Sequence, residues 1–574
     1  MTIFKLLNSY KREIMIFSSI LLVFAALRAF GIHLPYHQDE WKNVSVSRTV
    51  EGAGDFFAHP PLMQMIFVAD NFIFGGDNMR VVPFLFSIAS AVLLYFVVRN
   101  RIDKRAAAWS VGLFSISFYN ILGSLSPDVD GAILPFFFLL AVYAYDRSMS
   151  AEGSSARWKW ISLLITSLLV GFLIKLSFIL VIGVILADYV WSRGKKMNSK
   201  EMLISFLGML GFGLVYVALL YGIKFVYPSF DMSIMMGHAN QFREEEARNW
   251  IQVFVQGLKA IYYLSPLLII PIFFINKDIL KKTRIFFIYL ILGFIFYFIL
   301  FDFSRGALDK YLMFSVAPLS VICGTIFAKI FSDFNELTSN KFVRFIILGA
   351  IISGFIIFLN FVHHSIPPLY PKTEWFGKVI HLEWNFLNPF HGGSGPLGFY
   401  VSFLFIAISF IMSSVLGGIG LAKKEWRTGI IDMLIVIGIS YNLVFAEELL
   451  FGKINGSAPK VLREAVYFIS RSPEIKNVLT YSDIGAYELS KIKKYAGRIY
   501  ATPTSEDGYR KKFAEHIAVN GGYFLVVDIP HINPESFYGE FFAKCKTEFE
   551  AQDRKIVARV YDCKSAKFLT DLTK

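Results

Sequence analysis

Apolar residues along this chain come in long unbroken runs with polar punctuation, not in the short alternating patterns of amphipathic soluble elements. A full bilayer crossing needs about 20 residues. By that measure the pattern predicts spans at 14–34, 81–98, 106–123, 131–146, 161–174, 176–191, 202–223, 251–275, 285–301, 311–330, 344–362, 397–421 and 428–446, about 13 crossings. Residues 161–191 carry charge only at Lys175 and Asp188 and have basic flanks, so they should cross an even number of times. They read as two short helices meeting near Lys175–Ser177 on the outer side; the alternative is one tilted helix with Lys175 snorkelling. Residues 62–76 are apolar but short, and Asp70–Asn71 interrupts them, so they read as interfacial or re-entrant.

From about residue 453 the pattern changes. KNVLTYS, GYFLVVD and KIVARVYD read as short buried strands, and APKVLREAVYFISRS, DGYRKKFAEHIAV and PESFYGEFFAKC as amphipathic helices between them. The expected organisation is a transmembrane domain over 1–452, with a first extracytoplasmic loop at 35–80, and a soluble α/β domain over 453–574. No solenoid repeat or low-complexity segment interrupts this plan.

Composition agrees with the pattern. Of 574 residues 55% are hydrophobic and 18% charged, against roughly 25% charged in soluble domains. The net charge of +13 would suggest nucleic acid in a soluble protein. Here the cations gather in short loops: Arg99/Arg101/Arg105, Arg157/Lys159, Arg193/Lys195/Lys196, Lys277/Lys281/Lys282, Lys341/Arg344 and Lys423/Lys424/Arg427. All fall on one side under the span plan, with the basic N-terminus, which makes that side cytoplasmic and excludes a nucleic-acid reading. Residues 14–34 lack a small-residue cleavage site and read as a retained first span. The odd number of crossings places the C-terminal domain outside the cytoplasm. The expected location is a bacterial inner (plasma) membrane. Cys323 falls within a span and reads as a core residue, whereas Cys545 and Cys563 fall in the outer domain, where a bridge is permitted.

Candidate chemistry collects in the outer loops. Asp39 and Glu40 follow the first span in LPYHQDEW; His59-Pro60-Pro61-Leu62 comes twenty residues on; Arg80 opens the second span. Alone, the acidic pair also fits a helix N-terminal charge. Asp128 and Asp130 lie in SPDVDG, a stretch equally suited to a turn. Lys175, Arg305, Lys310 and Tyr311 lie toward the same side. An intramembrane charge such as Lys175 is costly and usually functional.

That ordered set resembles the GT-C glycosyltransferases, in particular the branch containing protein O-mannosyltransferases and the lipid A aminoarabinose transferase. The similarity runs through the acidic pair, the PPL motif, the Arg of span two, LSPDVDG, LIKLSF and ALDKYLMFSVAPL. The resemblance implies a polytopic α-helical GT-C fold with a small extracytoplasmic domain. It implies an inverting enzyme that takes a sugar from a polyprenyl-phosphate (dolichyl- or undecaprenyl-phosphate) donor and passes it to a lipid, glycan or protein acceptor. It makes Asp39 the general base with Glu40 in support. Arg80, Lys175, Arg305 and Lys310 become candidates for the leaving phosphate. Tyr311 matches a family Tyr, and His59 stands where some relatives carry Lys. Carboxylates with His59 form a donor set able to hold a divalent metal, but their spacing does not demand one; no other cofactor is implied. A transporter or lipid flippase would also have many spans and buried charges, and such proteins often show inverted repeats and helices broken at mid-bilayer. Clustering near one interface favours the enzyme.

Overall fold

The computed structural model describes residues 3–36, 40, 43–44, 59–193, 199–228, 230–240, 248–300, 311–333, 339–367, 373–389, 398–481, 484–498, 522–529 and 531–564. It is a helical bundle with a small mixed sheet at one end. Among the described residues nine helices are long and apolar enough to cross a membrane, ten if the bent pair Lys104–Ile116 and Phe118–Ser124 counts as one. Helices also occupy the remaining expected positions, at Ile3–Ala29, Ile133–Ser150 and Arg284–Leu300, but length and composition alone do not confirm thirteen crossings. The Leu312–Ser332 helix is the most deeply buried of these spans, while Phe206–Val226 is peripheral.

The expected span 106–123 is not one helix. It bends by 67° at Ser117. A break inside a bilayer frees backbone groups that only protein can satisfy. The Phe118 N–H donates to Asn442 Oδ1 at 2.7 Å, Asn120 Nδ2 donates to the Phe114 carbonyl at 2.8 Å, and Arg28 Nη1 donates to the Ser115 carbonyl at 3.1 Å. Asn442 also donates to Ser265 Oγ at 3.1 Å, and Ser265, ahead of Pro266, holds a left-handed φ of 69°. One side chain thus braces the broken points of two other helices.

The charged ends of the helices give the bundle its polarity. At one end Arg101 pairs with Asp146 (2.9 Å) and Asp188 (3.7 Å), Arg284 pairs with Asp188 (2.7 Å), and Arg99 pairs with Glu13 (3.1 Å). This is the basic end. Helix Ser154–Ile174 starts there, where Arg157 Nε donates to the Ser148 carbonyl, and Ile179–Arg193 returns there through Asp188. The turn between them lies at the opposite end. Lys175 is extended (φ −154°, ψ 134°), a 3-10 turn covers Leu176–Phe178, and the Phe178 ring packs over Gly171, where no side chain intervenes. The two-helix reading of 161–191 therefore describes the chain, and the single tilted helix does not.

Pro61–Phe74 is a 14-residue helix begun by proline. At 1.5 Å per residue it reaches about 21 Å, short of a hydrocarbon core. Its buried stripe is Met63, Gln64, Phe67 and Asp70, while Phe72 and Ile73 face outward. The span expected at 397–421 begins instead at Phe403, because Tyr400–Ser402 (β2) pairs antiparallel with Leu387–Pro389 (β1) and Ser402 Oγ caps the helix by accepting from Phe405 N at 3.2 Å.

The C-terminal sheet joins β3 (Val478–Thr480), β4 (Tyr495–Arg498), β5 (Tyr523–Val527), β6 (Lys546–Asp553) and β7 (Ile556–Asp562) in the order β4-β3-β5-β7-β6. β3 runs parallel to β4 and β5; β7 runs antiparallel to β5 and β6. The helix Ala458–Arg471 buries Val461, Leu462, Ala465 and Ile469 on one face of this sheet, and Leu387 and Tyr400 of the β1–β2 hairpin share that core. The three expected strands are present; β4 and β6 are additions. The helix expected at 534–545 is only Phe537–Phe542, and the one at 507–519 lies outside the described residues. Cys545 and Cys563 form a disulfide with Cα atoms 4.6 Å apart, and Cys323 is buried and free.

The loop 125–130 is set by a glycine contact. A Cβ on Gly123 would sit 2.7 Å from the Gly131 Cα, and one on Gly131 would collide with Gly123. Gly131→Ala should overpack this crossing by about 1–3 kcal/mol. The expected outcome is a lowered melting temperature in detergent, with Gly112→Ala, at a site with open space, unchanged.

Candidate active site

The second span begins at a buried cation. Arg80 and Glu40 are both fully buried and form a two-pronged pair, Nη1 to Oε1 at 2.8 Å and Nη2 to Oε2 at 2.9 Å. A guanidinium fork matches a carboxylate in this way. Arg80 also donates to the carbonyls of Leu34 (3.3 Å), Pro35 (2.9 Å) and Leu125, and Ser126 Oγ donates to Glu40 Oε1 at 3.0 Å. The Tyr36 ring lies 5.0 Å from the guanidinium, and the Tyr36 hydroxyl accepts from Met79 N at 3.0 Å. Burial pushes the Tyr36 phenol up to about 12, so it stays neutral. Arg80 spends its donors on Glu40 and on backbone, so its geometry is that of a strut and not of an open phosphate ligand. Glu40 correspondingly anchors the segment after the first span.

Five residues beyond Leu125, Asp130 meets Lys175. The Lys175 ammonium pairs with Asp130 Oδ2, both groups being nearly buried, and lies 4.6 Å from the centroid of the Tyr311 ring. Tyr311 stacks on Tyr297 at 5.5 Å, and Asp130, Ser177, Tyr289, Tyr297 and Tyr311 line a cavity of about 20 Å³, room for roughly one water. Five residues span at most about 18 Å. The two ion pairs are thus neighbours at the same end of the bundle, opposite the basic end. In this arrangement the Lys175 ammonium is held by an internal acid.

The remaining candidates separate. Asp128 makes turn bonds, its N–H donating to the Ser126 carbonyl and its Oδ1 accepting from Val129 N. His59 is half-buried just ahead of the Pro61–Phe74 helix. Asp39, Arg305 and Lys310 lie outside the described residues. Among the described residues no group of three His, Cys, Asp or Glu side chains is placed to hold a metal ion. Three contributors escaped the sequence reading. Tyr36 was in view beside the acidic pair. Asp70 is fully buried, and neither carboxylate oxygen has a hydrogen-bond partner among the described residues. Tyr487 comes from a domain more than 400 positions away, for which no local pattern gave a signal.

Similarity to known proteins fits this geometry. Residues 58–221 match the family model for dolichyl-phosphate-mannose-protein mannosyltransferase, a stretch that holds His59, Arg80, Asp128, Asp130 and Lys175. A protein of Aquifex aeolicus (strain VF5), itself uncharacterised, is 24% identical over 330 residues, 55% of this chain and 73% of that one. The undecaprenyl phosphate-alpha-4-amino-4-deoxy-L-arabinose arabinosyl transferase of Wigglesworthia glossinidia brevipalpis is 24% identical over 357 residues, 58% of this chain and 61% of that protein. In structure, the chain superposes on ArnT from Cupriavidus metallidurans bound to undecaprenyl phosphate with a TM-score of 0.57 at 15% identity, covering 95% of this chain and 97% of that one. The chain has the GT-C fold of that structure. The GT-C architecture accounts for both halves of the molecule, since the superposition runs through the bundle and the C-terminal sheet alike.

In this GT-C chain the Lys175–Asp130 pair should obey the rule for buried charges. Removing one partner strands the other, at a cost of about 3–5 kcal/mol. Lys175→Met and Asp130→Leu should each lower the melting temperature sharply, and the double variant should recover most of the loss. Additive losses in the double variant would show that the two groups are not coupled.

Proposed function

We propose that this chain is an inverting glycosyltransferase that moves a sugar from a polyprenyl-phosphate carrier to an acceptor on the extracytoplasmic side of a bacterial inner membrane. The observation that carries the reading is the convergence, at one end of the bundle, of the Glu40–Arg80 anchor beside Asp39 and the Lys175–Asp130–Tyr311 cluster at a helix break. Similarity to an undecaprenyl phosphate-alpha-4-amino-4-deoxy-L-arabinose arabinosyl transferase and to ArnT bound to undecaprenyl phosphate supports the donor class.

Asp39 is assigned as general base. It takes the proton of the acceptor hydroxyl as that oxygen attacks the anomeric carbon. The bond from that carbon to the phosphate oxygen breaks, its electron pair stays on the phosphate, and polyprenyl phosphate leaves. Attack opposite the leaving group inverts the centre. Lys175 supplies positive charge where negative charge develops, and Asp130 and the Tyr311 ring orient its ammonium. Lys310, next to Tyr311 in sequence, and Arg305, five positions before Lys310, are proposed as further phosphate ligands, because one point charge poorly neutralises a leaving phosphate. The disulfide suits an oxidising compartment, and the basic groups at the opposite end suit the cytoplasmic face. The N-terminus is then cytoplasmic and the C-terminal domain extracytoplasmic.

Asp39→Asn keeps the size of the side chain and removes its basicity. Purified variant and wild type would be assayed with a panel of polyprenyl-phosphate sugars. The expected loss of transfer is about 10²–10⁴-fold with an unchanged melting temperature. Transfer by the Asn variant near the wild-type rate would remove Asp39 from the mechanism. Donor lipid carried across vesicles without sugar transfer would replace the enzyme with a transporter.

A further inference from the structure

The C-terminal domain reaches the anchor of the first loop through one short helix, Ala486–Lys491. Tyr487, 4% exposed, sets its ring edge-on against the ring of Tyr36, 2% exposed, with centroids 4.8 Å apart. The Tyr487 hydroxyl donates to Asp77 Oδ1, and Lys491 Nζ reaches both Asp77 oxygens at 2.9 and 3.0 Å. Asp77 lies three residues before Arg80, and Tyr36 lies four before Glu40. Glu488, next in the same helix, is within electrostatic reach of Arg80, Lys491 and Asp77; burial raises its carboxyl to about 7. The contacts form a continuous series: Tyr487 and Lys491 on Tyr36 and Asp77, Tyr36 under the Arg80 guanidinium, Arg80 on Glu40.

We propose that the C-terminal domain is a positioning element for the reaction, its Tyr487 fixing Tyr36 and Asp77 and so the Glu40–Arg80 pair, whose Glu40 is next to Asp39 in sequence. The proposal rests on the glycosyl-transfer reading given above. An exposed ion pair such as Lys491–Asp77 contributes little alone. The contact between two buried rings is the part that excludes water and fixes direction. Asp77 sits just after the Gly75 turn that ends the Pro61–Phe74 helix, so holding it also fixes where that helix ends and the second span begins. A base displaced by even about 1 Å loses rate steeply while donor binding elsewhere in the site persists. Tyr487, Tyr36 and Asp77 are thus positioning residues and touch no reacting atom.

The test uses the full-length protein in detergent or nanodiscs, with two readouts. Tyr487→Ala removes the ring; Tyr487→Phe keeps it; Asp77→Lys disrupts the junction from the loop side without entering the core of the domain. Hydrogen exchange over peptides covering 34–44 and 76–80 reports loop order, and peptides covering β5 and β7 report whether the domain itself remains folded. Tyr487→Ala and Asp77→Lys should speed exchange in the loop about 10-fold or more, leave β5 and β7 protected, and lower kcat by about 10-fold or more with donor KM little changed. Tyr487→Phe should keep most of both. Wild-type exchange in the loop of Tyr487→Ala and Asp77→Lys would overturn the positioning role whatever the activity. A faster loop with wild-type kcat would overturn its link to catalysis. If the wild-type protein transfers no sugar, the enzyme reading fails, and the exchange data still decide whether the domain orders the loop.

Discussion

A guanidinium and a carboxylate withdrawn completely from water must satisfy each other, and the pair Arg80–Glu40 organises one end of this molecule. Each charge alone would cost several kcal/mol to bury. Together they draw in the carbonyls of Leu34, Pro35 and Leu125 and the hydroxyl of Ser126. Three separate segments are tied by it: the residues after the first helix, the start of the second span, and the 125–130 loop. The C-terminal domain then docks on the two residues, Tyr36 and Asp77, that flank the pair. Because the 125–130 loop leads directly to Asp130, the same anchor sets the place of the Lys175 cluster.

The same demand for internal satisfaction explains where the helices break. A bilayer offers no water to a freed N–H or carbonyl. The break at Ser117 is tolerated because Asn442, Asn120 and Arg28 supply partners, and the left-handed Ser265 because Asn442 reaches it as well. The break at Lys175 falls instead at a bundle end, where Asp130 and Tyr311 meet the ammonium. Two breaks are thus satisfied within the interior, and the third sets a nearly buried ammonium against Asp130 and Tyr311.

The bundle was legible in the sequence because hydrocarbon thickness and backbone satisfaction leave few choices for long apolar runs. The turn at Lys175 was legible as well, since basic flanks on both sides of 161–191 demand an even crossing. The bend at Ser117 was not. The stretch 106–123 is uniformly apolar, and the residue that makes the bend affordable lies more than 300 positions away. β4 and β6 were missed for a related reason: YAGR and KTEFEAQD carry no buried alternation, and β6 buries only Ala551. Residue types and order gathered the candidates toward one end of the molecule, while partners did not follow from order. Arg80 was open to a phosphate by sequence alone. Its adjacency to Glu40 is a tertiary fact, and it turns a candidate ligand into a strut. Asp128 and Asp130, equal in SPDVDG, part in the fold: Asp128 Oδ1 accepts from Val129 N, whereas Asp130 meets Lys175.

The central claim is that the Lys175 cluster receives the phosphate of a polyprenyl carrier. Binding of undecaprenyl phosphate to the purified protein tests it most directly, comparing wild type with the paired Lys175→Met, Asp130→Leu variant, in which no charge is stranded and folding can be confirmed by melting. The account predicts affinity weaker by at least about tenfold, a loss of about 1.4 kcal/mol, in the folded double variant. Equal affinity in the two proteins would contradict it.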